Sequence, residues 1–154
     1  MKIEVIRATE TWQQAGAYYV RIQGMARQHD ITLRREFDEH DTPDTKYIVL
    51  TDDTFPVATC RLYPLGDSSA MIGRVVVLPE YRGRGLGVQL LGRAVTKYRK
   101  LGRRSVRLHV AEDNKAALAF YRANGFTELS RAPGAETELL LMEKKLGRPD
   151  HAWL

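Results

Sequence analysis

Between Val77 and Leu91 the chain reads VLPEYRGRGLGVQLL. Gly83, Gly85 and Gly87 break the passage from an apolar run into an amphipathic one, and Arg82 and Arg84 alternate with them. Glycine inside a helix or strand is unfavourable by roughly 0.5–1 kcal/mol, so this cluster marks a turn in which the backbone itself is put to use. A strand that passes through such a turn into a helix presents consecutive N–H groups at the positive end of the helix dipole, which makes a site for an anion. Bare glycine backbone lets a bulky phosphate approach, and the two arginines can add charge-assisted bonds at its rim. A pyrophosphate fits this description.

Spacing separates the families that use this device. A P-loop needs G-x-x-x-x-G-K-[ST], and no Gly-Lys-Ser/Thr occurs in the chain. A dinucleotide fingerprint G-x-G-x-x-G starting at Gly83 would need glycine where Val88 stands. What is left is Arg82-x-x-Gly85-x-Gly87, directly after an apolar strand.

The whole sequence sets the frame for this turn. Its 154 residues, 44% hydrophobic and 28% charged, are those of a soluble globular protein, expected as one domain over 1–146 followed by a C-terminal tail over 147–154. No run of 18 apolar residues is present, so no membrane partner is expected. The N-terminus lacks a signal-peptide layout, and the lone Cys60 fits a reducing cytoplasm. Nine basic residues and no acidic ones lie between Arg82 and Arg107. With a net charge of +5, the remainder of the chain carries 5 − 9 = −4, so the glycine turn heads an electropositive segment of an otherwise mildly acidic chain.

Hydrophobic periodicity gives the order of elements. A strand around Ile3–Arg7 leads to an amphipathic helix, with Thr11 and Gln14 as its expected capping box. A charged stretch over 27–45 has no clear assignment. Runs at 46–50 and 55–63 form a hairpin, and the strand 70–78 has Val75-Val76-Val77 at its centre, expected buried on both faces. A helix over 86–101 ends at Gly102, and the strand 105–110 follows. A short helix capped by Asp113 or Asn114 and two last strands near 126–130 and 138–144 complete the chain. The class is α/β (α+β), a mixed sheet of about seven strands with helices on its faces.

The glycine pattern, the longer run Ile72–Gly87 around it and the later Asn114-Lys115-Ala116-Ala117-Leu118-Ala119-Phe120-Tyr121-Arg122-Ala123-Asn124-Gly125-Phe126 together resemble the GNAT family of N-acetyltransferases. The resemblance spans Ile3 to Lys144. It implies a mostly antiparallel sheet splayed at the acetyl-CoA site, and transfer of an acetyl group from CoA to a primary amine by direct attack. It also implies that backbone N–H groups across Arg82, Gly83, Arg84, Gly85, Leu86, Gly87 and Val88 hold the pyrophosphate. Val75, Val76 and Val77 would pair with the pantetheine arm, Asn114 would contact that arm, and Tyr121 would serve as general acid. A phenol of ordinary pKa near ~10 suits delivery of a proton to a departing thiolate. His109, near the end of its strand, is a candidate base, with a structural histidine as the plainer alternative. Glu36-Phe37-Asp38-Glu39-His40-Asp41 and Arg61 resemble the acidic segment and strand arginine of the ElaA/YjcF-like branch. Glu36, Asp38, Asp41 and Arg61 are thus candidate acceptor-binding residues, a cluster for a cationic amine or else a solvated loop.

No metal is expected, since no Cys/His ligand spacing occurs. Expected partners are acetyl-CoA, an amine acceptor and a second copy of the chain, since dimers are frequent in the family. Two rival readings differ in kind: a catalytically silent CoA-binding protein of the same fold, and a basic nucleic-acid module. The latter needs exposed stacking aromatics among the charges, where only Tyr81 and Tyr98 stand.

Overall fold

The computed structural model describes residues 1–134 and 137–147; the tail expected over 147–154 lies outside them except for Gly147. Seven strands form one sheet of order β1-β2-β3-β4-β5-β7-β6. It is mostly antiparallel with the single parallel pair β4–β5, in agreement with the expected class. Two compact units divide the chain: Met1–Tyr63 with Ile72–Thr96, and Pro64–Met71 with the chain from Lys97 on.

In the first unit, β1 (Ile3–Arg7) pairs antiparallel with β2 (Lys46–Asp52), and β2 with β3 (Phe55–Pro64). The β2–β3 hairpin turns through Asp53 and Thr54, both at positive φ (47° and 75°). Two left-handed residues in succession match the right-handed twist of the strands they join. Helix α1 (Thr11–Arg21) is capped one residue earlier than its sequence suggests. Gln13 Oε1 reaches back to accept the Glu10 and Thr9 N–H groups at 2.9 and 2.8 Å, so the box is Glu10/Gln13 rather than Thr11/Gln14. α1 runs on into a π turn at Ile22–Ala26, and the unassigned charged stretch contains one short helix, α2 (Leu33–Glu36). Ala17 packs with Ala8, Tyr47 and Val49, and Val20 with Val76 and Leu78. Strand β4 (Ser69–Val77) ends in this unit, followed by a 3-10 turn at Pro79–Tyr81 and helix α3 (Leu86–Lys100). Of the three valines only Val76 is buried (3% exposed). Val75 and Val77 point to the opposite face and stay half-buried, because successive strand residues alternate faces.

In the second unit, Ser69–Met71 pairs parallel with Ser105–Arg107 of β5 (Ser105–Ala111), three of the nine residues of β4. β5 pairs antiparallel with β7 (Glu138–Lys145), and β7 with β6 (Thr127–Pro133). β6 is exposed throughout and extends through Arg131–Pro133, residues whose composition reads as a turn. Tyr98, near the end of α3, is buried and its hydroxyl donates to the Met71 carbonyl at 2.8 Å. Leu101 is 63% exposed and does not extend the apolar stripe, since Gly102, at φ 79°, already turns the chain away.

Candidate functional site

The turn after β4 takes the form its glycines suggest. Gly83 and Gly85 both lie at φ 77°, and a Cβ at either would meet nothing within 4 Å. Their backbone conformation, rather than crowding, is what calls for glycine. Gly85 C=O accepts the first intrahelical bond of α3, from Gln89 N–H at 3.2 Å. The N–H groups of Leu86, Gly87 and Val88 therefore fall in the first helical turn, which has no intrahelical acceptor for its donors. Arg82 and Arg84, expected at the rim, are held by protein groups. Arg82 donates to the carbonyls of Val77 (3.1 Å) and Gly24 (3.3 Å). Arg84 lies over the Tyr81 ring, 5.1 Å from its centre, with Nη1 3.4 Å from the Met1 sulfur. The Tyr81 hydroxyl in turn donates to Asp52 at 2.8 Å.

A second feature braces this strand. A Cβ on Gly24, in the π turn, would stand 2.5 Å from Val76 Cγ1. Only glycine lets the π turn press against β4 at this point. π turns within helices are frequent at functional sites, and this one receives the Arg82 guanidinium on its Gly24 carbonyl.

The acidic segment is neither a solvated loop nor an open cation trap. Glu36, Asp38, Asp41 and Arg61 come together, joined by Arg21 of α1 and Arg74 of β4. Arg21 is fully buried and donates to Glu36 Oε2 (2.9 Å), the Glu36 carbonyl (2.7 Å) and both oxygens of Asp41 (2.6 and 3.0 Å). Arg61, 4% exposed, donates from Nη1 to Asp38 (2.8 Å) and Asp41 (3.0 Å). Arg74 reaches the Glu36 carboxylate at 3.1 Å and Asp38 at 3.2 Å. Three guanidiniums thus face three carboxylates, so the cluster carries no net charge with which to attract a cation. Its solvent edge consists of Arg74 and Asp38, with side chains 31% and 24% exposed. Below it, Phe37 lies under Arg21 at 4.3 Å, and Tyr18 meets Phe37 and Tyr47 edge-on.

Burial on its own would raise the Asp41 carboxyl. Hydrogen bonds from Arg21 and Tyr47 outweigh it and hold the group well below the usual carboxylate range. Asp38 is lowered in the same way, against its partial burial, by Arg61 and the His40 N–H. Burial and the bond to Asp41 push the Tyr47 hydroxyl up, so it acts as a donor at every ordinary pH. His40 stacks on Tyr63 at 4.2 Å beside this cluster. Cys60 is fully buried and its thiol is pushed up to about 12 by that burial, as suits an inert side chain.

In the second unit, His109 stands on the outward face of β5. Partial desolvation moves its imidazole below the ordinary histidine value, which favours the neutral, proton-accepting form at pH 7. Asn114 caps α4 (Lys115–Ala123), its Oδ1 accepting the Ala117 N–H at 3.2 Å. Tyr121, on α4, is half-buried and packs edge-on against Phe120 (5.4 Å) and Phe126 (5.9 Å). Arg107 pairs with Glu143 and Asp67, each at 2.9 Å, and Arg103 donates to the Leu65 carbonyl at 3.2 Å, so part of the basic segment is neutralised or bonded internally.

Arg21, Arg74, Tyr47 and Gly24 escape a reading of motifs. The arginines lie 15 and 38 residues from Glu36 in sequence, with no local pattern to link them. Gly24, like Gly16, falls inside a helical stripe, which is the kind of signal that could have pointed to it. Among the described residues, no group of three or more His, Cys, Asp or Glu side chains could hold a metal ion, and no helix is long and apolar enough to cross a membrane.

Comparison with known proteins adds to this geometry. The model of the acetyltransferase (GNAT) family matches residues 7–126. A solved structure of a candidate N-acetyltransferase from Lactobacillus plantarum superposes with a TM-score of 0.86 at 28% identity, over 95% of this chain and 99% of that one. An uncharacterized N-acetyltransferase of Bacillus subtilis is 28% identical over 137 residues, 89% of this chain and 88% of its own. Another, from Methanocaldococcus jannaschii, is 44% identical over 59 residues, 38% of this chain and 26% of its own, so the match spans about a quarter of that relative.

Proposed function

The chain belongs to the GNAT acetyltransferase family, and from that premise we propose that it transfers an acetyl group from acetyl-CoA to a primary amine. The observation that carries this reading is the pair Gly83 and Gly85 at φ 77°, opening directly onto the first turn of α3, whose N–H groups have no intrahelical acceptor. That turn suits the pyrophosphate of CoA, held by backbone N–H groups from Arg82 to Val88 with Arg82 and Arg84 shaping it. The half-buried Val75 and Val77 offer the pantetheine arm a strand edge, and Asn114 would contact the arm from the head of α4. The acceptor nitrogen attacks the acetyl carbonyl carbon, the C–S bond breaks, and Tyr121 gives its proton to the leaving thiolate. The proton lost by the amine passes to His109 or to water. Much of the acceleration comes from holding the two substrates in contact.

The acceptor enters, on this reading, over the Asp38–Arg74 edge, where a positive and a negative group stand side by side. Neutrality of the cluster beneath argues for an amine that also carries polar or anionic groups, rather than for a polycation. The Glu36–Asp41 segment with Arg61 supports placement in the ElaA/YjcF-like branch.

Thiol release from acetyl-CoA across a panel of primary amines tests the reading, and release above the no-amine background is expected with at least one of them. Tyr121→Phe should then lower kcat by about 10²-fold, the range of general acid catalysis, with CoA affinity unchanged. An unaltered kcat removes Tyr121 from the mechanism. CoA binding without turnover of any amine leaves the silent CoA-binding protein as the function.

A further inference from the structure

Among the described residues five non-glycines have positive φ, and four of them, Asp30, Asp53, Thr54 and Ser68, lie in turns or bends. The fifth, Arg74 at φ 48°, lies inside β4, immediately before Val75. A long side chain in the left-handed region is unfavourable and persists only where its surroundings over-determine it. Here they do. Arg74 Nε lies 3.1 Å from Glu36 Oε2 and 3.2 Å from the Glu36 carbonyl, while Nη2 reaches that carbonyl at 3.1 Å and Asp38 Oδ2 at 3.2 Å. Glu36 is 2% exposed and is gripped from its other side by Arg21. One residue therefore both imposes the irregularity of β4 and holds the segment that follows α2.

We infer that Arg74 is a positioning residue that fastens the Glu36–Asp41 segment to the strand carrying Val75–Val77, so that cofactor strand and acceptor-side segment are ordered as one. The inference rests on the proposed reading of Val75–Val77 as the pantetheine strand. A guanidinium is needed for this task. Its planar fork meets a carbonyl and two carboxylates at once, which a lysine ammonium cannot do. The left-handed backbone adds a way to separate the two contributions of Arg74. Arg74→Gly accepts the same φ without strain and removes only the side chain.

Hydrogen exchange read by mass spectrometry on the full chain, with and without saturating CoA, tests this. Without CoA, amides of residues 36–41 are expected to exchange about 10-fold faster in Arg74→Gly than in the unaltered protein, while those of α4 keep their rates. With CoA, the unaltered protein slows at both 75–77 and 36–41, whereas Arg74→Gly and Arg74→Lys slow at 75–77 alone. A purely structural ion pair would not lose that second response selectively. Rates for 36–41 within about twofold of the unaltered protein, or CoA protection of 36–41 surviving in Arg74→Gly, overturn the inference. If CoA protects no part of the unaltered chain, the cofactor reading fails, and the CoA-free comparison still decides whether Arg74 is the fastening. Should Arg74→Gly not fold, Arg74→Lys, which keeps the charge and loses the planar fork, must show the same loss confined to 36–41.

Discussion

Asp41→Asn is a sharp test of the ion network, because the change keeps the shape and removes the charge. Oδ1 of Asp41 accepts from Arg21 Nη1 and from the Tyr47 hydroxyl, each at 2.6 Å. Oδ2 accepts from Arg21 Nη2 (3.0 Å), Arg61 Nη1 (3.0 Å) and the Asp38 N–H (2.9 Å). An amide NH2 in place of Oδ2 faces donors only, and in place of Oδ1 it faces Arg21, with only the Tyr47 hydroxyl able to turn and accept. Two buried guanidiniums also lose a counter-charge. Breaking a buried pair by removing one partner costs about 3–5 kcal/mol. For a chain of this length that corresponds to a fall in Tm of about 10–15 °C. The pH dependence has a fixed sign. A carboxyl depressed in the folded state gives stability that is complete above its unfolded pKa of about 3.9 and is lost as pH falls toward the folded value. The gap between the two proteins, read by urea unfolding followed by circular dichroism, should therefore be constant from pH 7 to 5 and narrow below about pH 4. A gap under about 1 kcal/mol at pH 7, within reach of an ordinary exposed ion pair, would refute the reasoning. So would a gap that is the same at pH 3 as at pH 7.

Two further outcomes follow from the packing. Gly24→Ala places a methyl 2.5 Å from Val76 Cγ1, an overpacking worth about 1–3 kcal/mol. It should lower Tm and raise the KM for acetyl-CoA, and Val76→Ala in the same chain should restore both; a single variant that melts like the unaltered protein removes the close approach as a constraint. Asn114→Ala removes the cap on Ala117 N–H and should cost about 1 kcal/mol in urea unfolding, with no loss at all showing that the first turn of α4 is satisfied by water.

What the sequence discloses here is whatever is local. The glycine turn, the hairpin at Asp53-Thr54, the Asn114 cap and the stop at Gly102 each depend on neighbours within a few residues, and each sits where composition and spacing place it. The capping box slips by one residue because Glu10 and Thr11 both suit the start of a helix, and only the reach of Gln13 decides between them. β6 runs on through Pro133 because an exposed strand, free on one side, tolerates proline. The candidate site divides along the same line. The glycines of the turn after β4 are legible as a pattern, whereas the partners of Glu36, Asp38 and Asp41 come from α1, β3 and β4, and no spacing announces them. An acidic run therefore looks like a surface for cations until the arginines folded over it are seen.

A neutral cluster of three arginines and three acids also limits how this chain can change over generations. Losing any one of the four inner members, Arg21, Glu36, Asp41 or Arg61, leaves an unmatched charge in a sealed place, so single substitutions there lead downhill in fitness before a second can rescue them. The six are tied as a block, to be inherited or abandoned in matched pairs. Drift at the exposed Glu39, which lies outside the six, leaves the block untouched, so variation can accumulate there while its setting stays fixed.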